Sequence, residues 1–137
     1  MTATLRFLLD TNICIYIAKA KPQHLLERFK KIAPGEAAMS VITFGELEFG
    51  ARKSQQAKAS LATLAQLRAI IPALPVDVSV GEQYGRIRAE LEAIGHPIDG
   101  NDLWIAAHAA ALKITLVTNN RSEFDRVPGL RVEDWSR

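Results

Sequence analysis

Four carboxylates stand where buried-looking runs give way to helical patterns. Asp10 interrupts "RFLLDTNICIYI" (6–17), Glu46 falls in "SVITFGELEFGARKS" (40–54), Asp102 in "HPIDGNDLWIAAHAAAL" (96–112) and Glu123 in "LVTNNRSEF" (116–124). Each has a purely structural explanation. Asp10 reads as a helix N-cap, accepting a backbone N–H of the first turn. Thr43-x-x-Glu46 has the spacing of a capping box. Asp102 can complement the helix dipole, behind Asp99 or Asn101 as cap. Asn119 and Asn120 are turn formers, with Ser122 as a further cap.

Taken together, the acids suggest chemistry. Asp10 and Glu46 follow apolar runs closely, and Asp102 opens a helix reached through a loop. If those runs are parallel strands, the helix starts share one edge of the sheet, and their positive ends keep the carboxylates ionised. Crowded carboxylates repel and call for a cation. Oxygen ligands without cysteine or paired histidine suit Mg²⁺ or Mn²⁺ better than zinc. A carboxylate-held metal that keeps bound water hydrolyses phosphodiesters. Glu123 can join such a site directly or through water, and Asn119 can orient a water or ligand.

The elements that must position these residues are short apolar strands at Leu5–Leu9, Ala38–Ile42, Ala73–Val78 and Ile114–Val117, with Arg131–Val132 as a short fifth. Continuous apolar runs of this length suit strands covered on both faces. Amphipathic stripes lie between them, through Leu61, Leu64, Leu67 and Ile71 and through Tyr84, Ile87, Leu91 and Ile94. Arg68, Arg86, Arg88 and Glu90 fall on other faces. Ala106–Leu112 is rich in the best helix former. Pro34-Gly35 marks a turn, and Ile71-Pro72 ends a helix. The alternation predicts one α/β domain over 1–137, an α/β/α sandwich around a mostly parallel sheet of four to five strands. Ligand sites in such sheets lie outside the carboxyl ends of the strands.

Composition narrows the setting. The hydrophobic fraction is 48% and the charged fraction 23%, as in ordinary globular chains. Cys14 is the only cysteine, which rules out an internal disulfide and fits a reducing, cytoplasmic location. No run approaches a membrane span or a signal h-region. The net charge of +2 is a weak pointer to an anionic partner. With four of the 15 acids set aside for metal, the 17 bases dominate what remains.

His24, His96 and His108 show no metal-ligand pairing, and "GELEFGAR" lacks the Lys-Ser/Thr of a phosphate loop. A phosphatase using Asp10 as nucleophile would want a second aspartate where Asn12 stands. A phosphorylatable receiver domain would want an aspartate pair near the first strand and a lysine after the last.

The segments "LLDTNI", "SVITFGELEFGARKS", "PIDGNDLWIAAHA" and "LVTNNRSEF" resemble, in order and spacing, the acidic blocks of PIN-domain ribonucleases, most closely the VapC toxins of bacterial toxin–antitoxin pairs. The ending "VPGLRVEDW" is similar too. The resemblance implies a Mg²⁺-dependent endoribonuclease, active with Mn²⁺ as well, in which Asp10, Glu46 and Asp102 match the three metal-site acids. Many members carry an aspartate directly after the threonine of the last block, where this chain has Asn119; others place an acid later, here Glu123. The resemblance also implies a homodimer and a VapB-like antitoxin that occupies the acidic groove, with DNA reached only through that antitoxin. A tRNA loop is the first substrate to test.

Thr11, Asn12, Ser40, Thr43, Thr118 and Asn119 can support the acids by hydrogen bonding. Arg52, Lys53, Lys58, Arg86 and Arg88 can meet RNA phosphates, or can simply be solvated helix faces. Trp104 can stack on a base or belong to the core. The non-enzymatic alternative is a PIN-like domain that binds RNA or protein without cutting it.

Overall fold

The computed structural model describes residues 4–137. The sheet has five parallel strands, β1 Phe7–Leu9, β2 Ala37–Ser40, β3 Ala73–Leu74, β4 Thr115–Val117 and β5 Val132–Glu133, in the order β3-β2-β1-β4-β5. The central register sets Phe7 beside both Ala37 and Thr115. The connections are helical: α1 Thr11–Lys19 and α2 Gln23–Lys30, α3 Val41–Lys53 and α4 Ala57–Ile70, α5 Val78–Ala93 and α6 Gly100–Leu112, and the short α7 Arg121–Phe124.

Both faces of the sheet are covered, as the continuous apolar strands require. Leu8 and Leu116 pack with Ile87, Leu91 and Ile105 on one face; Phe7, Leu9 and Val117 pack with Ile13, Ile17, Leu64 and Leu67 on the other. Alternation along each strand thus fills two cores, and each fully buried Leu or Ile contributes roughly 2 kcal/mol. The edge stripe of α4 and the centre of α5 are buried as expected. Ile94 is instead exposed, because α5 ends at Ala93 and Val80 occupies the start of its buried stripe. Among the described residues no helix is long and apolar enough to cross a membrane.

Two predicted strands end earlier than their sequence suggests. Val41 and Ile42 belong to α3, because Ser40 turns the chain out of β2 and caps the helix, its Oγ accepting from Ile42 N at 3.1 Å. Residues 75–78 leave β3 at Pro75, and Asp77 caps α5 by accepting from Ser79 N and Val80 N. In both places a short polar side chain outcompetes the β preference of valine and isoleucine for local control.

The strand order reverses direction between β1 and β4, which makes their carboxyl ends the crevice expected to receive a ligand. Asp10 and Thr118 each lie one residue past these strands.

Candidate active site

Asp10 is pinned at the crevice from both sides. Its N–H donates to Val117 O at 3.0 Å, and its carboxylate Oδ1 accepts from Ile13 N at 3.0 Å as the N-cap of α1. The cap predicted from sequence is therefore present. The side chain is buried, and its pKa is raised to about 6. Burial is the main cause; the neighbouring Thr118 and the Ile13 N–H pull it back, while the charges of Glu46 and Asp134 push it further up.

Glu46 arrives differently from the capping-box expectation. Ser40, not Thr43, caps α3, so Thr43 is already helical and Glu46 lies in the second turn, away from the helix start. Its carboxylate is held by a neighbour on α1, Thr11 Oγ1 donating to Glu46 Oε1 at 2.6 Å. Thr43 is buried and reaches the same hydroxyl at 3.4 Å. Of Asp10, Glu46 and Asp102, the two aspartates thus sit at helix starts and the glutamate does not.

Asp102 occupies the first turn of α6, behind Asp99, whose side chain makes no capping bond. Its pKa is raised to about 7, first by burial, then by a side-chain hydrogen bond with Glu123 and that group's charge, then by the charges of Asp10 and Glu46. Asp102 is therefore within electrostatic reach of the other three acids singled out in the sequence, and Asp10 within reach of Glu46. Glu123 is anchored by Asn120 Nδ2, which donates to its Oε2 at 2.9 Å, while its Oε1 is buried without a hydrogen-bond partner.

Among the described residues, no three His, Cys, Asp or Glu side chains close around a common point at metal-ligand spacing. The donor set nonetheless fits a hard divalent ion. All four groups are carboxylates, two of them are costly to ionise where they stand, and the Asp102 and Glu123 carboxyl groups lie within hydrogen-bonding reach of each other, so without a cation they share a proton.

The supporting residues divide. Asn119 bridges α1, accepting from Asn12 Nδ2 at 3.3 Å and donating to Tyr16 Oη at 2.9 Å, so its amide is already committed. Thr118 is buried, and its Oγ1 accepts from Asn120 N at 3.0 Å. Asp134, just past β5, is the acid that the sequence reading missed. Its charge registers at Asp10, and its own oxygen accepts from Ser136 N at 2.8 Å. Its position after a two-residue strand gave no periodic signal.

An open groove of about 720 Å³ runs from Thr11 and Glu46 past Ile42 and Gly45 to Phe49 and Asn101. Arg52 and Lys53 follow on the same helix; Arg52 is paired with Glu48 at 3.1 Å, and Lys53 lies over the Phe49 ring. Arg88 flanks the start of α6 beside Asp99 and Gly100, paired with Glu92 and Tyr84. Arg86 lies away from the acids. It lines a cleft with Lys113, Ile114 and Arg131 at the amino ends of the strands, and it pairs with Glu90. Trp104 stacks on Tyr84 with centroids 4.0 Å apart, which uses at least one of its faces within the fold.

A parallel α/β sheet with carboxylates gathered at its switch point matches a known architecture. The PIN domain family model matches residues 7–130. A Shigella flexneri protein described as a tRNA(fMet)-specific endonuclease VapC is 44% identical over 132 residues, covering 96% of this chain and 99% of that one. Ribonuclease VapC2 of Haemophilus influenzae is 40% identical over 131 residues, covering 96% and 98%. Among solved structures, DNA-bound VapBC from Salmonella typhimurium superposes with a TM-score of 0.90 at 41% identity, covering 96% of this chain and 98% of its match. VapBC-1 from nontypeable Haemophilus influenzae gives 0.89 at 36%, covering 97% and 100%. The chain belongs to the PIN-domain family, within its VapC branch of ribonuclease toxins.

Proposed function

We propose that this toxin is a divalent-metal-dependent endoribonuclease whose working groups are Asp10, Glu46 and Asp102, with Glu123 beside them. The observation that carries the reading is electrostatic. Burial and mutual repulsion raise the carboxyls of Asp10 and Asp102 to about 6 and about 7, and Glu123 shares hydrogen-bonding reach and repulsion with Asp102, a pairing that a cation would relieve. Asp10 and Asp102 would hold Mg²⁺, or Mn²⁺ in its place, with Glu46 and Glu123 completing the set directly or through water. Bound there, the ion would acidify a water and offset charge on the scissile phosphate.

The chain's own residues do the rest. Thr11 holds one Glu46 oxygen, leaving the other to orient the attacking water. Asn12 and Tyr16 fix Asn119 at the mouth of the crevice. Water attacking phosphorus in line, with departure of the 3′-oxygen, leaves a 5′-phosphate and a 3′-hydroxyl. Arg52, Lys53 and Arg88 would meet flanking phosphates, the two arginines exchanging Glu48 and Glu92 for them.

The Shigella relative's description as tRNA(fMet)-specific makes an initiator tRNA the substrate to test first. The VapBC complexes support a VapB-like partner, through which DNA would be engaged, and a homodimer is the assembly to look for. A basic side chain of that partner reaching the acids would satisfy them in place of metal. The test compares antitoxin-free wild type with Asp10→Asn on purified tRNA, with Mg²⁺ or Mn²⁺ and with EDTA. Discrete fragments from wild type alone, abolished by EDTA, support the reading. Equal cutting by both proteins, or cutting indifferent to EDTA, overturns it.

A further inference from the structure

Among the buried residues of α6, His108 alone carries a titratable side chain, and the cleavage chemistry leaves it unused. Its ring is 1% exposed, and Nδ1 lies 2.8 Å from Ser40 Oγ. That oxygen also accepts from Ile42 N, and so fixes the first turn of α3. Burial favours the neutral imidazole, against the opposing pull of the Asp77 carboxylate that caps α5. A neutral ring protonated on Nε2 accepts at Nδ1, and the Ser40 hydroxyl, having accepted from Ile42, still has its hydrogen to give. The bond is complete without charge.

Its place in the fold gives it a consequence. Glu46 follows Ser40 by six residues on α3, and Asp102 precedes His108 by six on α6, about 9 Å of helical rise in each arm. The tie and the acids therefore sit at opposite ends of two matched arms, and the Asp102 carboxyl senses the Glu46 charge. This arrangement lets a glutamate in the second turn of its helix act on an aspartate in the first turn of another.

We propose that Ser40 and His108 are a positioning pair for RNA cleavage, setting the register of α3 against α6 and thereby the separation of Glu46 from Asp102. The inference rests on the nuclease reading above. The test measures kcat and KM for tRNA cleavage, and Mn²⁺ affinity by calorimetry, for Ser40→Ala, His108→Leu, their double variant and His108→Asn. Asn places a hydrogen-bonding atom near the position of Nδ1.

Misplacing one acid is expected to lower kcat about ten-fold in each of the first two variants, with KM little changed and Mn²⁺ binding weakened. The double variant should match Ser40→Ala, because that variant already loses both the bond to His108 and the cap on Ile42 N. His108→Asn should recover most of kcat. Ser40→Ala removes a single oxygen and keeps the test decisive if His108→Leu does not fold. Wild-type kcat in Ser40→Ala, multiplying effects in the double variant, a change confined to KM, or no recovery with His108→Asn overturns the proposal alone. A wild type that neither cleaves RNA nor binds Mn²⁺ overturns the nuclease reading and this inference with it.

Discussion

The two ends of the sheet handle charge in opposite ways. At the amino ends, charged groups are paired: Arg6 Nη1 meets the half-buried Glu36 at 2.7 Å, Arg86 meets Glu90, and Arg131 donates to the Lys113 carbonyl that ends α6. Hydrogen bonds from Ala33 N and Arg6 hold the Glu36 carboxyl below its ordinary range. At the carboxyl ends, Asp10, Glu46, Asp102 and Glu123 converge with no basic side chain among their hydrogen-bond partners. Asp10 and Asp102 are pushed up instead. One end is electrostatically finished within the chain; the other keeps carboxyl groups whose ionisation the chain opposes.

The largest expected break in this contrast is Asp10→Asn. Cleavage of tRNA should fall by about a thousand-fold, on the scale of removing a main stabiliser of transition-state charge. Asn still caps a helix well, so circular dichroism should show an intact fold, melting no lower than wild type in EDTA.

Next is pH. For Asp10 and Asp102 the folded values lie above the ordinary 3.8, so the folded state binds protons that the unfolded chain releases. In EDTA the penalty for ionising them grows as the pH rises through about 6 and 7. Melting temperature should therefore rise by about 5 °C on going from pH 8 to pH 5, and Asp102→Asn should flatten that rise. Saturating Mg²⁺ at pH 8 should recover much of the same gain in wild type. A wild-type melt that falls between pH 8 and pH 5 in EDTA would contradict this account.

Glu123→Gln sharpens the contrast on a finer scale. It replaces the carboxylate that presses on Asp102 with a neutral amide, and calorimetry should show Mn²⁺ bound about ten-fold more weakly, with cleavage reduced but measurable. The smallest effect belongs to the other end: Arg6→Ala removes an exposed ion pair and should leave kcat within about two-fold of wild type in the same tRNA assay.

The strands and the three principal acids were legible because apolar runs and polar interruptions are local signals. Phe7–Leu9 followed by Asp10 needs only its neighbours to be read. Ser40 and Asp77 were harder, since each ends a β-branched run by taking over the backbone, and valine and isoleucine around them still read as strand. Thr43 looked like a cap because Thr-x-x-Glu spacing carries no record of the serine three residues earlier. Asn119 was visible as a turn residue, but its bonds to Asn12 and Tyr16 span more than 100 residues. Asp134 and His108 depend on tertiary neighbours in the same way, and so does the separation of Arg86 from the acids.

Asp10 combines two tasks that many proteins assign to different residues, starting a helix and presenting charge. Asparagine does the first and not the second, and a single-base transition converts an aspartate codon into an asparagine codon. On the role proposed for Asp10, the lineage would have a short mutational route to a disarmed toxin that still folds. Selection acting on this position would see the loss of poison without the cost of a misfolded product.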